Sequence, residues 1–184
     1  MNYLNLQKGL RTQREMYKTK IDDQVLFDAI ECARYAASAR NEQVVRYAFI
    51  NDEKTMEMFN LTNLPTSHKI ANEQAPSAYI IIGSNEDRKN STIFGIDIGI
   101  VSQIIREYLN IEGYSSLGIY SFDRIKTKEL IGVNDFYPEF TIAIGKSDQV
   151  VRVEDSDSEV SNYRNKNNEH TVRKLKTSQL IVNR

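Results

Sequence analysis

One cysteine, two histidines and no tryptophan occur among the 184 residues of this chain. A lone thiol, Cys32, cannot close an intramolecular disulfide. It sits among Ala29, Ile30 and Ala33 on a predicted helix and is expected to be buried. Two distant histidines and a single cysteine form no metal-ligand cluster. No Ser–His–Asp or Cys–His arrangement can be inferred from the spacing, so no side chain is assigned a catalytic role. Glycine is scarce, at 8 residues, and proline scarcer, at 3; no glycine-rich phosphate loop of the Walker or Rossmann kind occurs. Neither charge sign is in excess, with 24 basic against 25 acidic residues. That balance argues against a nucleic-acid partner while allowing a local basic pocket. There is no N-terminal apolar leader and no run long enough to span a bilayer, so a soluble, cytoplasmic protein with no membrane partner is expected. The length is enough to bury a full core and is expected to form a single domain over residues 1–184.

What is present is periodic. Leu4, Leu6 and Leu10 predict a short helix over 3–10. Val25, Leu26, Ala29, Ile30, Ala33 and Ala37 recur at helical spacing behind Asp22 and Asp23, and predict a core helix over 21–38. Alternation over 46–51 predicts a strand, and 52–61 a second helix. Residues 62–75, with Pro65 and His68, have no firm period and are expected as a surface loop and candidate lid. The unbroken apolar runs 78–83 and 139–145 predict strands buried on both faces. Between them, 92–111 is apolar around nearly its whole circumference, which places a helix in the interior or at a subunit interface. Asp97 within it requires a partner, and Gly95 and Gly99 would admit a close helix crossing. Residues 113–124 read as a turn, a strand and the start of a helix that continues over 126–132. Residues 150–153 predict a short strand, 154–168 a polar connector over the surface, and 178–182 a closing helix or strand.

Three stretches carry candidate chemistry. Residues 33–47 leave a helix, pass through small and polar side chains, and enter a strand. Ala36, Ala37, Ser38 and Ala39 let the backbone approach something flat, and Asn41 and Gln43 offer amide donors and acceptors. Arg11, Thr12 and Arg14 set forked donors around a hydroxyl, a combination that suits a phosphate. Arg173, Lys174 and Lys176 form a second basic cluster at the other end of the sequence. A single phosphoryl group would give both clusters a reason to converge.

Taken in order, these pieces resemble the FMN-dependent nitroreductase family over most of the chain. The family's R-S-x-R-x-F appears as Arg11, Thr12, Gln13, Arg14, Glu15 and Met16. Its A-R-x-A-P-S-x-x-N-x-Q-P appears as the run from Ala33 through Ser38 and Asn41 to Val44. P-x-A-Y-I is matched from Pro76 to Ile80, and D-x-G-I-x-x-Q by Asp97, Gly99, Ile100 and Gln103. G-L-G-G is matched by Gly113, Tyr114, Ser115 and Ser116, and A-x-G-K by Ala143 to Lys146. The terminal Y-R…H-x-V-P-K-R is matched by Tyr163, Arg164, His170, Val172, Arg173 and Lys174. The resemblance implies an α+β homodimer with a mainly antiparallel central sheet flanked by helices and FMN at the subunit interface. Arg11, Thr12 and Arg14 would hold the FMN phosphate or the ring edge, and Lys174 with Arg173 or Lys176 would complete the phosphate site. Ala37, Ser38, Ala39 and Asn41 of the other subunit would line the ring, Gln43 would support it, and Ser115 and Ser116 would offer backbone N–H groups near N5. The implied activity is NAD(P)H oxidoreduction, with NADH or NADPH as donor and ping-pong hydride transfer to a nitroaromatic, quinone or similar small acceptor. The alternative is a flavin-binding or flavin-sensing dimer with little turnover. Ser115 and Ser116 stand where the family has glycines, which matters if the turn requires positive φ there.

Overall fold

The computed structural model describes residues 2–63, 70–167 and 169–182. The predicted loop's Pro65 and His68 lie outside these described residues. The chain divides into two compact units, Met1–Ser147 and Asp148–Arg184.

The larger unit is built around strand β2 (Ala78–Ser84), all seven residues of which are buried. Burying an isoleucine side chain contributes roughly 1.5–3 kcal/mol. Ile80, Ile81 and Ile82 together therefore rival the ~5–15 kcal/mol net stability of a whole domain. β2 pairs antiparallel with β1 (Arg46–Ile50) on one side and β4 (Tyr137–Gly145) on the other, and β3 (Ser115–Ile119) completes the sheet in the order β1-β2-β4-β3. Every pairing in this sheet is antiparallel.

Alternation along the strands sends side chains to two helical layers. Ile80, Ile82, Ile142 and Ile144 meet Leu26, Ala29 and Ala33 of α2 (Asp23–Ala33) and Val101, Ile105 and Leu109 of α4 (Thr92–Ile111). Tyr79, Ile81, Leu117 and Ala143 face Met58 of α3 (Thr55–Leu61) and Leu130 of α5 (Arg124–Ile131). A short α1 (Tyr3–Gly9), capped by Asn2, precedes them. The α+β class and the antiparallel central sheet are as expected.

Helix α4 has the predicted bounds. Ser91 caps it by accepting from the Phe94 N–H at 3.2 Å. Its inner face is buried, whereas Ile93, Ile96 and Ile100 are exposed, and nothing lies within 4 Å of a Cβ built on Gly95 or Gly99.

Helix α2 stops at Ala33, short of the predicted end at 38. Its last turn tightens through Tyr35 N–H to Cys32 C=O and Ala36 N–H to Ala33 C=O bonds. Ser38 is already extended, and its hydroxyl accepts from the Gln43 N–H at 3.2 Å. Local side-chain bonds of this kind compete with helix propagation. Cys32 is exposed rather than buried: Leu26, Ala29 and Ala33 form the inward stripe, and Cys32 falls beside it.

The smaller unit is a three-stranded sheet in the order β5-β7-β6, formed by β5 (Val151–Ser156), β6 (Asn162–Arg164) and β7 (His170–Leu175), followed by α6 (Thr177–Leu180). β5 and β7 run parallel. The stretch expected as a surface connector thus contributes the end of β5 and all of β6. The β6–β7 turn is closed by Asn165, whose N–H donates to the Glu169 carbonyl at 3.0 Å and whose side chain donates to the Glu169 carboxylate at 2.7 Å.

Two consequences are measurable. A bulge at Ile82/Gly83 leaves Glu139 without a partner on β2, and its carboxylate accepts from Arg124 at 3.1 Å. A Cβ on Gly83 would overlap the Tyr137 carbonyl oxygen and come within 2.9 Å of the Phe136 ring. Gly83→Ala should therefore destabilise the protein by about 1–3 kcal/mol in denaturant titrations. In the smaller unit, the forked Arg152 bonds to Glu169, at 2.8 and 3.1 Å, and then Asn165 lower the Glu169 pKa to about 2. A depressed carboxylate stabilises fully above its unfolded pKa, and that contribution is lost as pH falls through the folded value. Glu169→Gln should flatten the acid-side loss of amide protection in β5 and β7, read by NMR from about pH 5 down to about pH 2.

Candidate functional site

Residues 12–17 run along the larger sheet. Thr12 forms a parallel bridge to Ser116 at the start of edge strand β3, and Tyr17 an antiparallel one to Lys146. Met16 is buried between them, close enough that a Cβ on Gly145 would meet its sulfur at 2.9 Å. This anchoring fixes the backbone that carries Arg11 and Thr12.

The pair does not stand alone. Arg106, one turn before the end of α4, donates from Nε to Ser116 Oγ at 3.2 Å and from Nη2 to Thr12 Oγ1 at 3.4 Å. Arg11 donates from Nη2 to the Gln7 carbonyl, and its Nε is buried with no hydrogen-bond partner among the described residues. Burial lowers the pKa of both guanidinium groups, and the positive charge of Arg11 lowers that of Arg106 further. Neither arginine has an ion-pair partner among the described residues. The neighbouring Glu107 carboxylate is turned to Tyr3, Gln7 and Gln103. Two like charges share a partly desolvated place with two hydroxyl groups, an arrangement complementary to a multivalent anion. Arg14 is half-buried and engaged within the fold.

Arg106 was not singled out from the sequence. A single arginine in the second half of a long helix is ordinary by itself. The available signal was that it is the one basic residue of α4, on the turn that faces Ser116.

The second group of predicted residues gathers at the end of α2. Ala37, Ser38 and Gln43 border a hollow of about 150 Å³, together with Tyr47 and Asp97. Asp97 is buried, as its position required, and the Ala39 N–H donates to its Oδ1 at 3.4 Å. Ala39 and Asn41 bound a single 3₁₀ turn. Arg40, Asn41 and Gln43 all adopt left-handed backbone, with φ of 53°, 56° and 48°. Asparagine tolerates that region; arginine and glutamine adopt it at a cost. The Gln43 side-chain amide donates to Asn41 Oδ1 at 3.1 Å and helps to hold the turn. Burial pushes the Tyr47 phenol up to about 12, so it stays protonated at neutral pH.

Ser115 and Ser116 are strand residues, paired with Gly145 and Ile144. Positive φ in this connection falls on Gly113, at 75°, and on neither serine. The glycine-to-serine differences therefore meet no backbone obstacle.

In the smaller unit, Arg173 pairs with Glu154 and Glu159, and Lys176 with Asp157 at 2.8 Å. Lys174 is exposed on β7. The three cations of that cluster are thus not equivalent: two already pair with acids of their own unit.

No family model matches this chain, and no curated protein matches it. Solved structures do. A nitroreductase family protein from Streptococcus pneumoniae TIGR4 is 20% identical, covering 100% of this chain and 100% of its own, with a TM-score of 0.73. One from Clostridium novyi NT is 21% identical over 80% of this chain and 87% of its own, with a TM-score of 0.69. An FMN-dependent nitroreductase from Clostridium difficile R20291 is 17% identical over 81% of this chain and 90% of its own, with a TM-score of 0.67. At such identities the likeness is one of architecture. In its architecture, then, this chain has the nitroreductase fold.

Proposed function

We propose that the protein is an FMN-binding NAD(P)H oxidoreductase that works as a homodimer and reduces a nitroaromatic, quinone or similar small acceptor by ping-pong hydride transfer. The observation that carries this reading is the buried, unpartnered Nε of Arg11 beside Thr12. An orphaned guanidinium N–H is costly unless a ligand oxygen satisfies it, and a phosphate ester supplies such oxygens. The fold supports the same reading, because a neighbour with this architecture is an FMN-dependent nitroreductase.

The chain's residues divide the work. Arg11 and Thr12 bind the phosphate end. The small side chains of Ala37, Ser38 and Ala39 let a flat ring approach the backbone, and Asn41 and Gln43 orient its polar edge. When bound, FMN supplies the redox chemistry, taking a hydride equivalent from NADH or NADPH and delivering it to the acceptor. The protein's contribution is to position and to exclude water, which needs no side-chain acid or base. The exposed Ile93, Ile96 and Ile100 on α4, with open space over Gly95 and Gly99, offer an apolar face to a second subunit.

The test is spectroscopic. The purified protein, titrated with FMN and freed of excess, should show the bound-flavin absorption bands, and NADPH or NADH should bleach them under anaerobic conditions. A colourless protein that takes up no FMN would refute the assignment. Bleaching by dithionite but by neither nicotinamide would make it a flavin-holding dimer instead.

A further inference from the structure

Arg106 has no counterpart among the motifs that suggest flavin binding, yet its guanidinium reaches the same place as Arg11. It comes from α4, whereas Arg11 and Thr12 come from the segment after α1 and Ser116 from β3. Three separate elements therefore converge on one spot, joined by the 3.2 Å and 3.4 Å bonds from Arg106 to Ser116 and Thr12.

A purely structural arginine at a partly buried site finds a carboxylate or a set of carbonyl oxygens. Among the described residues Arg106 finds two hydroxyl groups, which are neutral, and a like charge, which repels it. The acid nearest in sequence, Glu107, is held by Tyr3, Gln7 and Gln103. A hydroxyl that accepts from Arg106 keeps its own proton free to donate, so the half-buried Thr12 extends the donor set, while the almost fully buried Ser116 holds the Arg106 guanidinium in place. Two half-buried guanidinium groups and the Thr12 hydroxyl match the charge and offer several of the donors that a dianionic phosphate monoester requires.

We propose that Arg106 is a phosphate-binding residue and determines specificity by selecting a phosphorylated ligand over its unphosphorylated counterpart. Resting on the reading above, this means that Arg106 discriminates FMN from riboflavin. A binding role also differs in sign from a structural one. Removing a structural arginine lowers the stability of the free protein, whereas removing one of two repelling, desolvated cations does not.

The experiment compares the full chain with Arg106→Gln and Arg106→Lys, and uses Arg106→Met, which keeps an aliphatic stem, should the glutamine variant fail to fold. FMN and riboflavin affinities are measured by fluorescence titration. Melting temperatures are recorded for the free proteins and with inorganic phosphate alone. Arg106→Gln should lose about ten- to hundred-fold in FMN affinity, leave riboflavin affinity unchanged, and melt no lower than the parent when free. Arg106→Lys should recover part of the loss. Equal weakening of both flavins, or unaltered FMN affinity, would overturn the proposal while leaving the FMN reading intact. If neither flavin binds the parent, that reading fails, and phosphate decides the question alone. Stabilisation of the parent by phosphate but not of Arg106→Gln would then support the phosphate site, and equal responses would reject it.

Discussion

The burial of β2 on both faces is the constraint from which the rest of the larger unit follows. A strand with Ile80 and Ile82 on one side and Tyr79 and Ile81 on the other needs a helical layer on each. α2 and α4 supply one, α3 and α5 the other. Once α4 lies across the sheet with Val101, Ile105 and Leu109 inward, the position next to Ile105 is directed toward the edge strand. Arg106 reaches Ser116 because the packing of its neighbour leaves it there.

The site inherits its precision from that core. Thr12 is tied to β3 through the backbone, and β3 is tied to β4 by a continuous register from Ser115↔Gly145 to Ile119↔Thr141. Groups held by rigid elements lose little freedom on binding a ligand. The electrostatic side is the reverse of restful. Two partly desolvated cations, with no compensating acid among the described residues, repel each other, a cost that the proposed phosphate would relieve.

Much of this was legible beforehand, for identifiable reasons. α4 could be read to the residue because apolar side chains recur along its whole length. β2 and β4 could be read because strands buried on both faces need no alternation to stand out. Asp97 declared itself as a carboxylate on an apolar helix, and it found the Ala39 amide. The end of α2 was less visible: Ala36 and Ala37 continue a helical pattern, and only the bonds made by Ser38 and Asp97 show why the chain departs from it. Of the small sheet only the start of β5 was visible, because the end of that strand and its connection to β6 carry charges that pair across the surface, so that Glu154, Asp157 and Glu159 read as a solvated connector. Arg106 was overlooked although it is the one basic residue of its helix, because its meaning depends on Arg11, far away in sequence.

The left-handed residues Arg40, Asn41 and Gln43 have one more consequence. A glycine at any of them would relax the turn, but would also let it wander among many shapes. Arginine and glutamine hold this backbone at a cost, which the bonds from the Gln43 N–H to Ser38 and from the Gln43 side-chain amide to Asn41 help to offset, so the turn keeps its shape through its hydrogen bonds and not through its intrinsic preference.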